Sequence, residues 1–194
     1  MSSRRIRQAR GGGYDIRLGD DERALLAALP QQLLSLLGDV GDQPQVPPPL
    51  RRLLPPAYTT DNQAEEAYVA LTRQDLVEHH RASLETLAAT ASAQHLDDEQ
   101  LAAWLAALND LRLVLGSMLD VSEDDVEPPA GGPNEAEWIA YHYLGALQSE
   151  LIDALADALP EPTPGADDLV PDDHWGEPPG GLRWDGTPQP GTGG

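Results

Sequence analysis

The sequence predicts an all-α protein: an irregular bundle of four to five helices between a disordered N-terminal arm and a Pro/Gly-rich acidic C-terminal tail. Three observations carry that prediction. Apolar side chains recur at three- and four-residue steps in several stretches, the spacing that gathers them on one side of a helix. Runs of proline and glycine separate those stretches. From Pro160 onward, 35 residues hold eight Pro, eight Gly and seven acids, too little apolar surface to offset the cost of ordering. The resulting division is a basic flexible arm at 1–13, a helical domain at 14–159 and a disordered tail at 160–194.

Arg4, Arg5, Arg7 and Arg10 precede Gly11, Gly12 and Gly13, a pairing of charge with free backbone that predicts an unstructured arm. Tyr14, Ile16 and Leu18 alternate with polar residues and suit a short strand, with no obvious partner strand. Asp20 or Asp21 starts a helix whose apolar face is Leu25, Leu26, Leu29, Leu33, Leu36 and Leu37. Pro30 removes a hydrogen bond in its middle, which predicts a kink near 26–29 or two short helices. Prolines dominate 39–60; there Leu50, Leu53 and Leu54 form one turn against the core, and Arg51 and Arg52 face water. Asp61 caps a short helix. Thr72 with Asp75 reads as a capping box, so a second helix begins there and carries Val77, His80, Leu84 and Leu87.

The stretch at 97–121 organises the rest. Asp97 or Asp98 caps it, and Leu101, Trp104, Leu105, Leu108, Leu111, Leu115 and Met118 form its stripe, so Met118 is expected inside. Asn134 with Glu137 caps the last long helix. Its Trp138, Tyr141, Leu144, Leu147, Leu151 and Leu155 suit antiparallel packing against 97–121.

Charge and composition narrow the function classes. The net charge is −21. Residues 1–60 hold eight arginines against six acids, whereas 61–194 hold four against twenty-seven. Such a body is repelled by DNA phosphates, so only the arm has the sign for nucleic acid. Cysteine is absent, which excludes disulfides, thiolate metal sites and thiol redox chemistry. Lysine is absent too, so no Walker-type phosphate loop is possible. No run of about 18 apolar residues marks a membrane span, and a cytoplasmic location is the expectation.

No catalytic residue, cofactor or metal is predicted. No serine sits in a nucleophile elbow. His79 and His80 are adjacent and point about 100° apart, unlike an i, i+4 metal pair. The acidic pairs lack calcium-loop spacing. One polar constellation remains, Asn109, Asp110 and Arg112, inside an apolar helix. It is a structural tie, with Arg112 paired to a carboxylate and Asn109 to a neighbouring backbone, or a partner contact. Trp175 and Trp184 in the tail are candidate anchors of a linear motif. Arg4, Arg5, Arg7 and Arg10 are a candidate electrostatic arm.

The run WLAALNDLRLVLG at 104–116, with LLPPAY at 53–58 and YLGALQ at 143–148, resembles the actinobacterial AosR-like family of oxidative-stress transcriptional regulators. The resemblance extends over roughly residues 14–160. It implies a regulator rather than an enzyme, with a sigma factor or RNA polymerase as protein partner. Genes of that family commonly lie beside the gene of the Clp protease adaptor, which implies an alternative role as accessory factor in Clp-type proteolysis. DNA binding through the arginine arm is a further alternative. Lacking cysteine, this chain cannot sense oxidants through thiols. Oligomeric state is not legible.

Overall fold

The helix at the centre, α3 (Asp98–Met118), is built as its leucine spacing requires. Asp97 accepts a hydrogen bond from the Gln100 N–H at 2.8 Å, and the Gln100 side chain accepts from the Asp97 N–H. That reciprocal box satisfies two of the donors that every helix start leaves open. At the other end Asp120 takes a left-handed φ of 53°, and the Val121 N–H returns to the Gly116 carbonyl at 2.9 Å. This six-to-one bond closes the helix as a glycine would, in a conformation that aspartate tolerates better than most residues.

The computed structural model describes residues 4–38, 40, 46–56, 62–121 and 132–158. All of them belong to one unit, Met1–Leu159. Among them, α1 (Asp20–Gly38), α2 (Asn62–Thr90) and α4 (Glu135–Ala158) surround α3, with a 3-10 turn at Pro48–Leu50 against it. Leu101, Trp104, Leu108, Leu144 and Leu147 are fully buried at the centre. The Trp104 indole N–H donates to Thr90 at 2.7 Å, and His80 meets Asp110, so α2 and α3 run antiparallel. Gly116 lies against Tyr141 and Arg112 reaches Gln148, so α3 and α4 are antiparallel as well. By length and hydropathy α3 would suit a membrane span. In this fold its apolar side is instead spent on neighbouring helices.

The all-α expectation holds, with a small sheet added. β1 (Ile6–Gln8) pairs antiparallel with β2 (Tyr14–Ile16), and β2 pairs with β3 (His95–Leu96). The strand expected at 14–18 therefore has two partners. Residues 4–13, expected as a flexible arm, are corrected to half of a hairpin. The physical reason is Ile6, which is 1% exposed and joins the core with Tyr14, Ile16 and Leu96. Gly12 and Gly13 make the turn at φ +96° and +68°. A Cβ at Gly13 would lie 2.5 Å from the Leu96 carbonyl oxygen, so glycine is required there for the approach to β3.

Three helix expectations change. α1 runs through Pro30 as one helix rather than two short ones, with Pro30 buried. α2 is continuous from Asn62, and the Thr72 hydroxyl donates to the Tyr68 carbonyl at 2.7 Å instead of capping a new helix. Met118, expected inside, is 54% exposed. The end of α2 has no basic residue of its own. Arg23 supplies one from α1, donating to the Ala91 and Ala93 carbonyls at 2.9 and 2.8 Å.

Candidate functional site

Two residues apart on a helix means roughly 200° around its axis. Asp110 and Arg112 therefore leave α3 in opposite directions, one toward α2 and one toward α4. Asp110 is only 3% exposed. Its carboxylate lies 2.7 Å from the His80 Nδ1, within hydrogen-bonding distance. The His80 Nε2 is buried without a partner. This pair ties α2 to α3, a contact the expected Arg112 and Asn109 ties did not include, and a buried polar group left single costs more than a pair gains.

Arg112 behaves differently. Its expected carboxylate partner is replaced: Nη1 donates to the Gln148 amide oxygen at 2.5 Å, and the guanidinium lies 5.2 Å from the Tyr141 ring centroid. It lies against Gly145, where a Cβ would be at ordinary contact distance, 3.4 Å from Nε. Among the described residues Arg112 has no ion pair. One turn along, Tyr141 Cε2 and Arg52 Nη1 are 3.4 and 3.5 Å from where a Gly116 Cβ would sit. The Arg52 Nη2 donates to the Val121 carbonyl at 3.2 Å, and among the described residues Arg52 also has no ion pair. Arg112 thus lies over the Tyr141 ring, and Arg52 and the edge of that ring both approach Gly116, on a strongly acidic protein. Asn109, the third residue of the constellation, is exposed, and its side chain makes no hydrogen bond among the described residues, contrary to the expected backbone tie.

The arginines of the N-terminal segment are placed by the hairpin. Arg5 donates from Nε to Glu150 at 2.9 Å, from Nη1 to Glu22 at 2.9 Å and from its backbone N–H to Glu150 at 2.9 Å. Its guanidinium sits 5.4 Å from the Tyr143 ring centroid. The Glu150 bond is the main reason its pKa rises above the ordinary arginine value, and Glu22 adds to it while burial opposes. Burial alone would raise Glu22 and Glu150, yet both are held below the ordinary carboxyl value. For Glu22 the Gly19 N–H and Arg5 do this, and for Glu150 the two Arg5 donors. Burial, with the Glu22 charge beside it, pushes the Tyr143 phenol up. Arg4 pairs with Asp157, Arg7 stands opposite Asp15 in the sheet register, and Arg10 is exposed at the turn. Trp175 and Trp184 lie outside the described residues.

Sequence reasoning found Asp110 and Arg112 but missed Arg52, Tyr141, Gln148 and the clasp of Glu22 and Glu150 on Arg5. The available signal was Gly116 and Gly145. A glycine inside a helix costs about 1 kcal/mol against alanine and usually marks a close approach. Among the described residues no group of three His, Asp or Glu side chains is arranged to hold a metal.

A family model, DUF2017, described as a domain of unknown function, matches residues 3–155. The protein called putative oxidative stress regulator AosR of Mycobacterium leprae (strain TN) is 33% identical over 126 residues, covering 56% of this chain and 58% of that protein. The oxidative stress regulators AosR of Mycobacterium bovis and Mycobacterium tuberculosis (strain H37Rv) are each 31% identical over 123 residues, covering 54% of this chain and 56% of theirs. The chain spans little more than half the length of the curated relatives it matches. No solved structure matches it.

Proposed function

We propose, from the premise that this chain belongs to the DUF2017 family, that it is a non-enzymatic regulator of the oxidative stress response. It acts in the cytoplasm by contact with another protein, a sigma factor or RNA polymerase. The observation that carries this reading is the set of relatives named oxidative stress regulators at 31–33% identity. The chemistry of the chain supports contact over catalysis. Asp110 and Arg112 on α3 are joined to side chains of α2 and α4, and the sequence holds no nucleophile elbow.

The charge supports a basic partner surface. A net charge of −21 steers association with a cationic face and weakens with salt. The same charge opposes DNA, and Arg4 and Arg5, which a DNA-binding arm would use, are occupied by Asp157, Glu22 and Glu150. Thiol switching is not available to a chain without cysteine, so its response to oxidants reaches it through the partner or a ligand.

The test is affinity capture of the tagged full chain from cells with and without peroxide, at several salt concentrations. Recovery of a sigma factor or polymerase subunit at low salt, falling as salt rises, is expected. A complete lack of transcription components at every salt overturns the proposal.

A further inference from the structure

We infer that Arg52, Arg112 and Tyr141 form a binding site for a small oxyanion, a molecule carrying one carboxylate or phosphate group. The starting point is an imbalance. Acids outnumber arginines 33 to 12 in this chain, so a half-buried arginine has carboxylates to choose from, and Arg5 has taken two. Arg112 has none. Its Nη1 is oriented by the neutral Gln148 amide and its plane by Tyr141. Among the described residues its Nη2 makes no hydrogen bond, and its Nε is buried without one. Arg52, exposed and without an ion pair, is fixed to the Val121 carbonyl through Nη2.

Arg52 and Tyr141 lie over Gly116 of α3, and Arg112 lies against Gly145 of α4, each at ordinary van der Waals distance from where a Cβ would sit. Guanidinium groups recognise carboxylate and phosphate through paired, charge-assisted donors. A site whose donors are already fixed loses less freedom on binding. The overall charge selects the size of the ligand. A polyanion such as nucleic acid is repelled by the acidic body at long range, whereas a single anionic group feels mainly the two nearby cations. The site is separate from the protein contact proposed above, and one can fail without the other.

Titration of the full chain with inorganic phosphate and, separately, with acetate at low ionic strength tests this. Isothermal calorimetry, with chloride as the control anion, reads it. Saturable binding of either anion is expected, and the tighter of the two identifies the ligand class. Arg52→Gln and Arg112→Gln should each weaken it about tenfold, the effect of one lost charge-assisted contact. Arg52 is exposed, so its variant keeps the fold, as circular dichroism will check. Saturable binding of neither anion, or equal affinity in the Arg52→Gln protein, overturns the inference.

Discussion

Arg5 and Arg112 make a natural comparison. Both are half-buried, both lie against a tyrosine on α4, and both join a second element to that helix. Arg5 faces Glu150 and Glu22 with three hydrogen bonds from side chain and backbone. Arg112 faces an amide and a ring. The first charge is neutralised where it stands and serves to close the hairpin onto the body. The second is oriented but left uncompensated. In an acidic protein the uncompensated cation is the one with capacity for something outside the chain.

The largest way to break the comparison is to remove the apolar anchor beneath the Arg5 clasp. Ile6→Ala should cost about 2–4 kcal/mol in urea unfolding, because a fully buried side chain is truncated. A loss below 0.5 kcal/mol, roughly the scale of a surface change, would show that the hairpin does not contribute to the core. Arg5→Gln comes next, at about 1–2 kcal/mol. It leaves two partly buried carboxylates facing each other without the cation, at 25–29% side-chain exposure.

The pH dependence follows from the same cluster. Glu22 and Glu150 have folded values below the ordinary 4.5. The unfolded chain therefore takes up protons first, and stability contributed by the pair is present above that value and is lost as pH falls below it. Urea midpoints measured between neutral pH and pH 3 should decline in this window, and Arg5→Gln should flatten the decline. An identical slope in the variant would assign the acid sensitivity to other carboxylates. At the small end, Arg112→Gln should cost about 0.5–1 kcal/mol through the lost ring and amide contacts. Arg52→Gln should fall within about 0.5 kcal/mol of the parent protein.

How much of this the sequence disclosed depends on range. Within α3, the leucine spacing and the Asp97 cap were readable, because helix periodicity and capping are local. The match between α3 and α4 followed from two apolar stripes. The sheet was not readable. β1 has three residues and β3 two, too short for alternation to stand out, and a run of arginine before glycine looks like a solvated arm. Thr72 misled for a related reason: its hydroxyl has a carbonyl four residues back to bond, a choice the sequence does not reveal. At the candidate site, Asp110 and Arg112 stood out as polar residues in an apolar helix. Their partners His80, Gln148, Tyr141 and Arg52 come from three other segments, and only the packed fold brings them together.

Arginine modification by a dicarbonyl reagent, mapped by mass spectrometry in the native protein, tests the division between the two arginine environments most directly. Arg52 and Arg112 should react readily and be protected by phosphate or acetate. Arg5 should react slowly, with no change when either anion is added. Rapid modification of Arg5, or reactivity at Arg52 and Arg112 that neither anion alters, would contradict the account.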